Sequence, residues 1–429
     1  MKRQRESYSH GTEAPWEDFK VIGKPHRKVD GLAKATGEAV YADDIQLPGM
    51  LHAKTLRSPH AHARIKSIDI SKALALPGVE AVITGADMPG ANKDGASRGT
   101  QMASDNLLAR TKAVYKGHPI AAIAAANQHV AEAALDLIKV DFEVLPPVMD
   151  VRAAMADNAP LIQEDLTTTD LGERTDKKSN IATHVQFTQG DIEKGFAAAD
   201  VIVEQEFTNE MVHQGYLEPQ TASAIWNENG DITIWTSTQG AFTARDAMAP
   251  LLDVPVSKIK VVPMEIGGGF GGKIPVYLEP LAALLSKKTG RAVKMTMTRA
   301  ETFESTGPTS GTYIKVKMGA TQDGKIIAAQ GYLAYEAGGF PGSLVGAGTQ
   351  CIFAPYDIEN MHVDGYDVLV NKPKVAPYRA PAAPNAAFAG EQVVDALAQK
   401  LNLDPLEFRL MNASQEGTRR VDGPIYPVI

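Results

Sequence analysis

Along its first third the chain alternates short β-rich runs with helix-like stretches. "LHAKTLRS", "ARIKSIDI" and "VEAVITG" read as strands, and the apolar "IAAIAAAN" is followed by the helical period of "HVAEAALDLIKV" and the strand-like "DFEVLPPVM". That mixture predicts the α+β class. A polar lead-in occupies residues 1–26, and a first folded domain is expected over 27–150. From 151 to 180 the apolar period gives way to "TTTDLGERTDKKSN", which predicts a linker crossing the surface and a domain boundary.

The second segment, 181–414, opens with "VIVEQEF" and pairs "TASAIW" with "DITIWTST" across Asn229-Gly230, with another hairpin at Asp323-Gly324. The strand "IKVVPMEI" then runs into a loop with five glycines in six positions, "GGGFGG". Beyond it "PVYLEPLAALLSKKTG" has a helical period closed by Gly290. Near the end, "GEQVVDALAQKLNL" predicts a helix, and Asp404-Pro405 starts another as N-cap and first helical residue. Residues 415–429 read as an unpaired tail.

Size and composition narrow the function. A chain of 429 residues exceeds what one core usually supports, so two or three domains are expected. With 44% hydrophobic and 22% charged residues and no apolar run long enough to span a bilayer, it reads as a soluble globular protein. The basic start "MKRQRESYSH" leads into polar sequence where a signal peptide needs an apolar stretch, so a cytoplasmic location is expected. A net charge of −8 repels nucleic acid. The single cysteine, Cys351, forms no internal disulfide and cannot hold an iron–sulfur cluster, so it is read as a small buried residue.

The glycine loop is the main chemical candidate. Gly267 to Lys273 satisfies G-x-x-x-x-G-K, but Ile274 follows where a P-loop needs Ser or Thr for magnesium, so nucleotide hydrolysis is a remote alternative. Glycines cost backbone entropy, and five around one phenylalanine suggest close backbone approach to a ligand. The competing structural reading is tight strand–helix packing. His52, His60 and His62 raise a metal site, which is less favoured than surface or loop histidines. His213 reads as a satisfied polar residue rather than a base. Gln239, at a strand end, could meet a ligand or cap a helix, and Arg379 lies in the Pro/Ala-rich "APYRAPAAPNAAF", read as an irregular loop.

Together these residues resemble the molybdenum-binding subunits of the xanthine oxidase family of hydroxylases. "KVDGLAKATGEAVYADD" onward to "GADMPG" is similar to that family's α/β hammerhead domain. "GDIEKGFAAADVIVEQEF", "YLEPQTASA", "TSTQGAF", "GGGFGGK" and "YRAPAAPNAAFAGEQVVDALAQKLNLDPLEFRLMN" follow in the family's order, resembling the first half of its molybdopterin-binding domain.

The resemblance implies molybdenum held by the dithiolene of a molybdopterin, in its cytosine dinucleotide form, with no protein side chain on the metal. It implies that Gln239 hydrogen-bonds an oxygen on the metal. Gly268, Gly269, Phe270, Gly271 and Gly272 would pack on metal and pterin, with Arg379 and Ala380 lining the same centre. Phe270, Ile274 and Pro381 would face the substrate. The reaction implied adds water-derived oxygen to an electron-poor carbon of an N-heterocycle or aldehyde, and electrons leave through [2Fe–2S] clusters to FAD on partner subunits.

The family's catalytic glutamate lies in a C-terminal half that this sequence does not contain. A second molybdenum-domain subunit is therefore expected to bring it, as in nicotinate-dehydrogenase-like hydroxylases, or the chain is truncated. Ile274 stands where purine-oxidising members place Glu, and no arginine occurs in 344–350, which argues against a purine pocket. Ala380 replaces the copper-binding cysteine of carbon monoxide dehydrogenases. The alternative within the resemblance is a non-catalytic assembly subunit.

Overall fold

The structure, a computed structural model, describes residues 19–428. Residues 19–40 belong to a small unit whose short helix Gly31–Thr36 ends on the left-handed Gly37. From Tyr41 onward the chain is one compact unit built on two seven-stranded sheets and a three-stranded one.

The first sheet has the order Ile259–Pro263, Ile232–Thr236, Thr221–Trp226, Val293–Thr296, Leu51–Arg57, Pro119–Ala125, Val79–Thr84. Strands from the early and late parts of the sequence therefore share it, joined where Leu51 pairs in parallel with Val293. The expected boundary at 151–180 has no counterpart in a break between sheets. The strand Pro119–Ala125, "PIAAIAA", is buried at every position, as a strand covered on both faces must be. The helix Glu279–Thr289 is buried from Glu279 through Ser286 and seals this core with Leu281, Leu284 and Leu285.

The second sheet runs Val201–Asn209, Thr312–Ala320, Ile326–Gly338, Asn360–Leu369, Ile181–Gln189, Thr167–Asp170, Glu173–Lys178. Across it lies the helix Ala383–Leu401, which buries Ala386, Ala389, Gly390, Val393, Val394, Leu397 and Leu401, the spacing of one helical face. The strands Lys112–Ala113, Ala63–Asp69 and Lys139–Val144 form the small sheet.

Both expected hairpins form, with Trp226 opposite Ile232 and Ala320 opposite Ile326, and left-handed Gly230 and Gly324 at their turns. Gly290 closes its helix in the left-handed region, and the Asp404 side chain caps its helix by accepting from Leu406 N and Glu407 N.

Three expectations are corrected. Residues 151–180 are not a linker: Val151–Met155 is a helix, and Thr167–Asp170 and Glu173–Lys178 pair with each other at the edge of the second sheet. The Pro/Ala-rich stretch is irregular only to Ala382, because the helix already begins at Ala383 with Pro384 in its first turn. The tail is paired: Arg419 bridges Ile425, Val421 is buried, and Tyr426 Oη donates to Ala354 O at 3.1 Å.

Candidate active site at the glycine loop

The loop, residues 264–278, joins the strand Ile259–Pro263 to the buried helix Glu279–Thr289. Its glycines approach the protein itself. A Cβ on Gly267 would stand 2.6 Å from Glu218 Cβ, on Gly269 2.6 Å from Gln239 Oε1, and on Gly272 2.9 Å from Gln214 Cδ. Gly271 is the most constrained, with φ +105 and a Cβ position 2.4 Å from Pro377 O. Close approach to Gln214, Glu218, Gln239 and Pro377 thus accounts for part of the glycine richness, in line with the competing reading of tight packing.

Lys273 is 1% exposed, and its Nζ lies 2.6 Å from Glu218 Oε2 and 4.9 Å from the centre of the Tyr216 ring. Burial holds its pKa below the usual lysine range, against the opposing pull of Glu218. The same Glu218 oxygen accepts Gly267 N at 2.8 Å. A carboxylate of the chain therefore occupies both the lysine and the first loop amide, which removes the P-loop alternative on geometric grounds.

Gln239 sits between the strand Ile232–Thr236 and the helix Ala241–Leu252. Its Oε1 accepts from Gly271 N at 2.8 Å and Lys273 N at 3.2 Å, while its own N donates to Lys273 O at 2.9 Å. It caps the glycine loop rather than the helix. Two backbone donors fix the amide's orientation, so the Nε2 of this exposed residue is left as an outward donor.

Arg379 meets the loop through backbone, its N donating to Phe270 O at 2.8 Å. Phe270 (φ 52), Ala380 (φ 57) and Ala382 (φ 66) are all non-glycine residues in the left-handed region. Such conformations cost about 1–3 kcal/mol each and persist where the surroundings enforce them, often at ligand sites. Phe270 is 47% and Ile274 37% exposed, and the side chains of Arg379, Ala380 and Pro381 are exposed as well. The structure therefore brings Gln239, Gly268–Gly272, Phe270, Ile274 and the 379–381 segment onto one ridge. A cleft of about 540 Å³ opens beside Arg379, walled by Tyr378, Val212, Asn385 and Phe388.

The histidines do not join them. His62 is buried, its Nδ1 2.8 Å from Pro146 O, and no group of three His, Cys, Asp or Glu suited to a metal occurs among the described residues. His213 bonds Thr306 Oγ1 through Nε2 at 2.7 Å and accepts Gly215 N at Nδ1, and burial with nearby Arg299 pushes its pKa down to about 4. It is the satisfied polar residue expected. Cys351 is half-buried at the end of a short helix.

The sequence reading missed the frame beneath the loop. Gln214 Nε2 donates to Pro377 O (2.8 Å) and Gly307 O (3.0 Å), tying the segment before Arg379 to the backbone at Gly307. Gln220 Nε2 donates to Tyr216 Oη and Gly272 O, and Tyr216 Oη meets Thr306 Oγ1 at 3.1 Å. With Glu218, these residues recur at every second position of "QGYLEPQ", an alternation that could have marked them.

An exposed aromatic ring, an amide donor and a guanidinium on one strained ridge suit a planar, electron-rich, anionic group, and in this respect the residues fit a pterin dithiolene. The model of the molybdopterin cofactor-binding domain matches residues 174–413, starting inside the stretch read as linker. That of the aldehyde oxidase and xanthine dehydrogenase a/b hammerhead domain matches 36–146. The nicotinate dehydrogenase large molybdopterin subunit of Eubacterium barkeri is 31% identical, over 95% of this chain and 93% of that one. The carbon monoxide dehydrogenase large chain of Afipia carboxidovorans is 32% identical over 93% of this chain, which spans about half (51%) of that relative. Among solved structures, an aldehyde oxidoreductase from Desulfovibrio gigas superposes with a TM-score of 0.82 at 30% identity, over 92% of this chain and 44% of that one. The α+β fold, the ridge and these likenesses together identify the chain as a molybdenum-binding subunit of the xanthine oxidase family.

Proposed function

We propose that this chain carries the ridge half of the molybdenum site in a multi-subunit hydroxylase that adds water-derived oxygen to an electron-poor carbon of an N-heterocycle or aldehyde. The observation that carries the reading is the double anchoring of Gln239 Oε1 by Gly271 and Lys273, which presents Nε2 outward beside Phe270. When bound, the molybdopterin supplies the redox chemistry. Gln239 would offer its Nε2 donor to that group, Phe270 and Gly268–Gly272 would pack against it, and the backbone about Arg379 and Ala380 would close it. Phe270, Ile274 and Pro381 would present an apolar face to the ring of the substrate, which disfavours a purine held by carboxylate and guanidinium.

The proton-abstracting glutamate belongs, in this reading, to a second molybdenum-domain subunit. The exposure of Phe270, Ile274 and Leu217 (87%) supports such a covering partner. Electrons pass to [2Fe–2S] and FAD subunits, the pterin is the cytosine dinucleotide form, and the complex is cytoplasmic. No helix among the described residues is long and apolar enough to cross a membrane. The test is metal and cofactor analysis of the native complex, with sequencing of the co-purifying chains. Molybdenum, pterin dinucleotide and a second molybdenum-domain chain are expected; an intact, active complex lacking molybdenum would leave only an assembly role.

A further inference from the structure

Beyond Ile274 the loop turns along a second cavity, of about 650 Å³, and Pro275, Val276 and Tyr277 form part of its wall. The remaining wall is largely apolar, with Met102, Leu251 and Phe340 among its side chains. This volume lies within the range of small-ligand sites. One cation stands in the lining, Lys374.

Lys374 differs from the lysines around it. Lys273 lies 2.6 Å from Glu218 and Lys372 2.8 Å from Glu336, whereas no carboxylate of the described residues comes within 4 Å of Lys374. Its Nζ donates to Pro341 O at 2.6 Å and to Gly342 O at 3.4 Å. An ammonium has three donors, so one N–H is left. Asp367, the carboxylate that acts on it from farther away, already accepts Gly342 N at 2.8 Å and Ser343 N at 2.7 Å. A part-buried cation with no carboxylate in contact and one N–H to spare, on the wall of an apolar cavity, favours an anionic ligand there.

We propose that this cavity binds a small aromatic carboxylate, the ring against Val276, Tyr277 and Phe340 and the carboxylate on Lys374. That the bound acid is the substrate rests on the function proposed above; the binding itself does not. The acid group would orient the ring, and Pro275 and Val276 couple the cavity directly to Ile274 on the ridge. Lys374 is then a specificity-determining residue rather than a catalytic one.

The experiment titrates the full chain with benzoate and with its neutral analogue benzamide, by calorimetry. Benzoate is expected to bind at least tenfold more tightly, Lys374→Met to abolish that preference and Lys374→Arg to keep it. Should Lys374→Met fail to fold after losing its turn carbonyls, Ala103→Trp, which fills the cavity and leaves the lysine, is expected to abolish binding of both probes. Equal binding of the two probes, no binding of benzoate, or undiminished binding to Ala103→Trp would overturn the proposal. Because no step requires molybdenum, failure here is separable from failure of the metal analysis.

Discussion

Glu218 Oε2 stands 2.6 Å from Lys273 Nζ and 2.8 Å from Gly267 N, so a single carboxylate neutralises the loop's lysine and pins its first glycine. Removing one partner of a buried pair strands the other, at a cost of about 3–5 kcal/mol. Glu218→Gln should therefore lower the thermal midpoint sharply, and Glu218→Gln with Lys273→Met should recover much of the loss. A double variant no more stable than Glu218→Gln in calorimetric melts would contradict the pairing.

Gln239 combines two jobs that substitutions can separate. Gln239→Glu keeps an acceptor for Gly271 N and Lys273 N but loses the outward Nε2 donor. It should melt near the parent temperature while turnover of the complex falls by about 10²–10³, the scale for one lost charge-stabilising donor. Gln239→Ala should lose turnover and also loosen the loop, read as faster amide exchange at Gly271 and Lys273. Full turnover in Gln239→Glu would show that the donor plays no part.

Gly271 tests the origin of the glycine richness. Any Cβ there meets Pro377 O at 2.4 Å on a backbone with φ +105. Gly271→Val should destabilise the chain by several kcal/mol in the absence of any cofactor, because it pushes apart the 270s and the 376–380 segment. An unchanged melting temperature for the isolated chain, with only cofactor loading impaired, would mean that the space is kept for ligand instead.

His118 should make stability depend on pH. It is fully buried, Nδ1 accepts Val114 N at 3.2 Å, and Nε2 donates to Asp105 O at 2.7 Å, so protonating Nδ1 would set two N–H groups face to face. Burial pushes its pKa down to about 4. Between the ordinary histidine value of about 6.5 and that value, the unfolded chain takes up a proton that the folded chain refuses. The stabilisation is therefore complete above about pH 6.5 and declines as pH falls toward 4, by up to about 3 kcal/mol. Urea unfolding at pH 7 and pH 4.5 should show a smaller difference for His118→Gln than for the parent.

Elements with an apolar period were legible: the hairpins at Gly230 and Gly324 and the helices ending at Gly290 and starting at Asp404 lie where their residues place them. The strand Glu173–Lys178 was not, because edge strands carry charge where interior strands carry Val or Ile, and "ERTDKK" guards an edge while looking like a loop; its neighbour Thr167–Asp170 is only four residues long and polar. At the ridge, sequence similarity named Gln239, Phe270 and Arg379, but they are joined through the backbone atoms Phe270 O, Arg379 N and Gly271 N, which no side-chain pattern encodes.

The parallel pairing of Leu51 with Val293 places more than half of the chain's length between two neighbours in one sheet. Non-local pairing of this kind slows folding, because a long loop must close before its contacts form. On the ribosome the strand Leu51–Arg57 emerges well before Val293–Thr296 exists to cover its edge. The nascent protein thus carries an unprotected strand through most of its synthesis, and its yield should respond to chaperone supply more than its final stability would suggest.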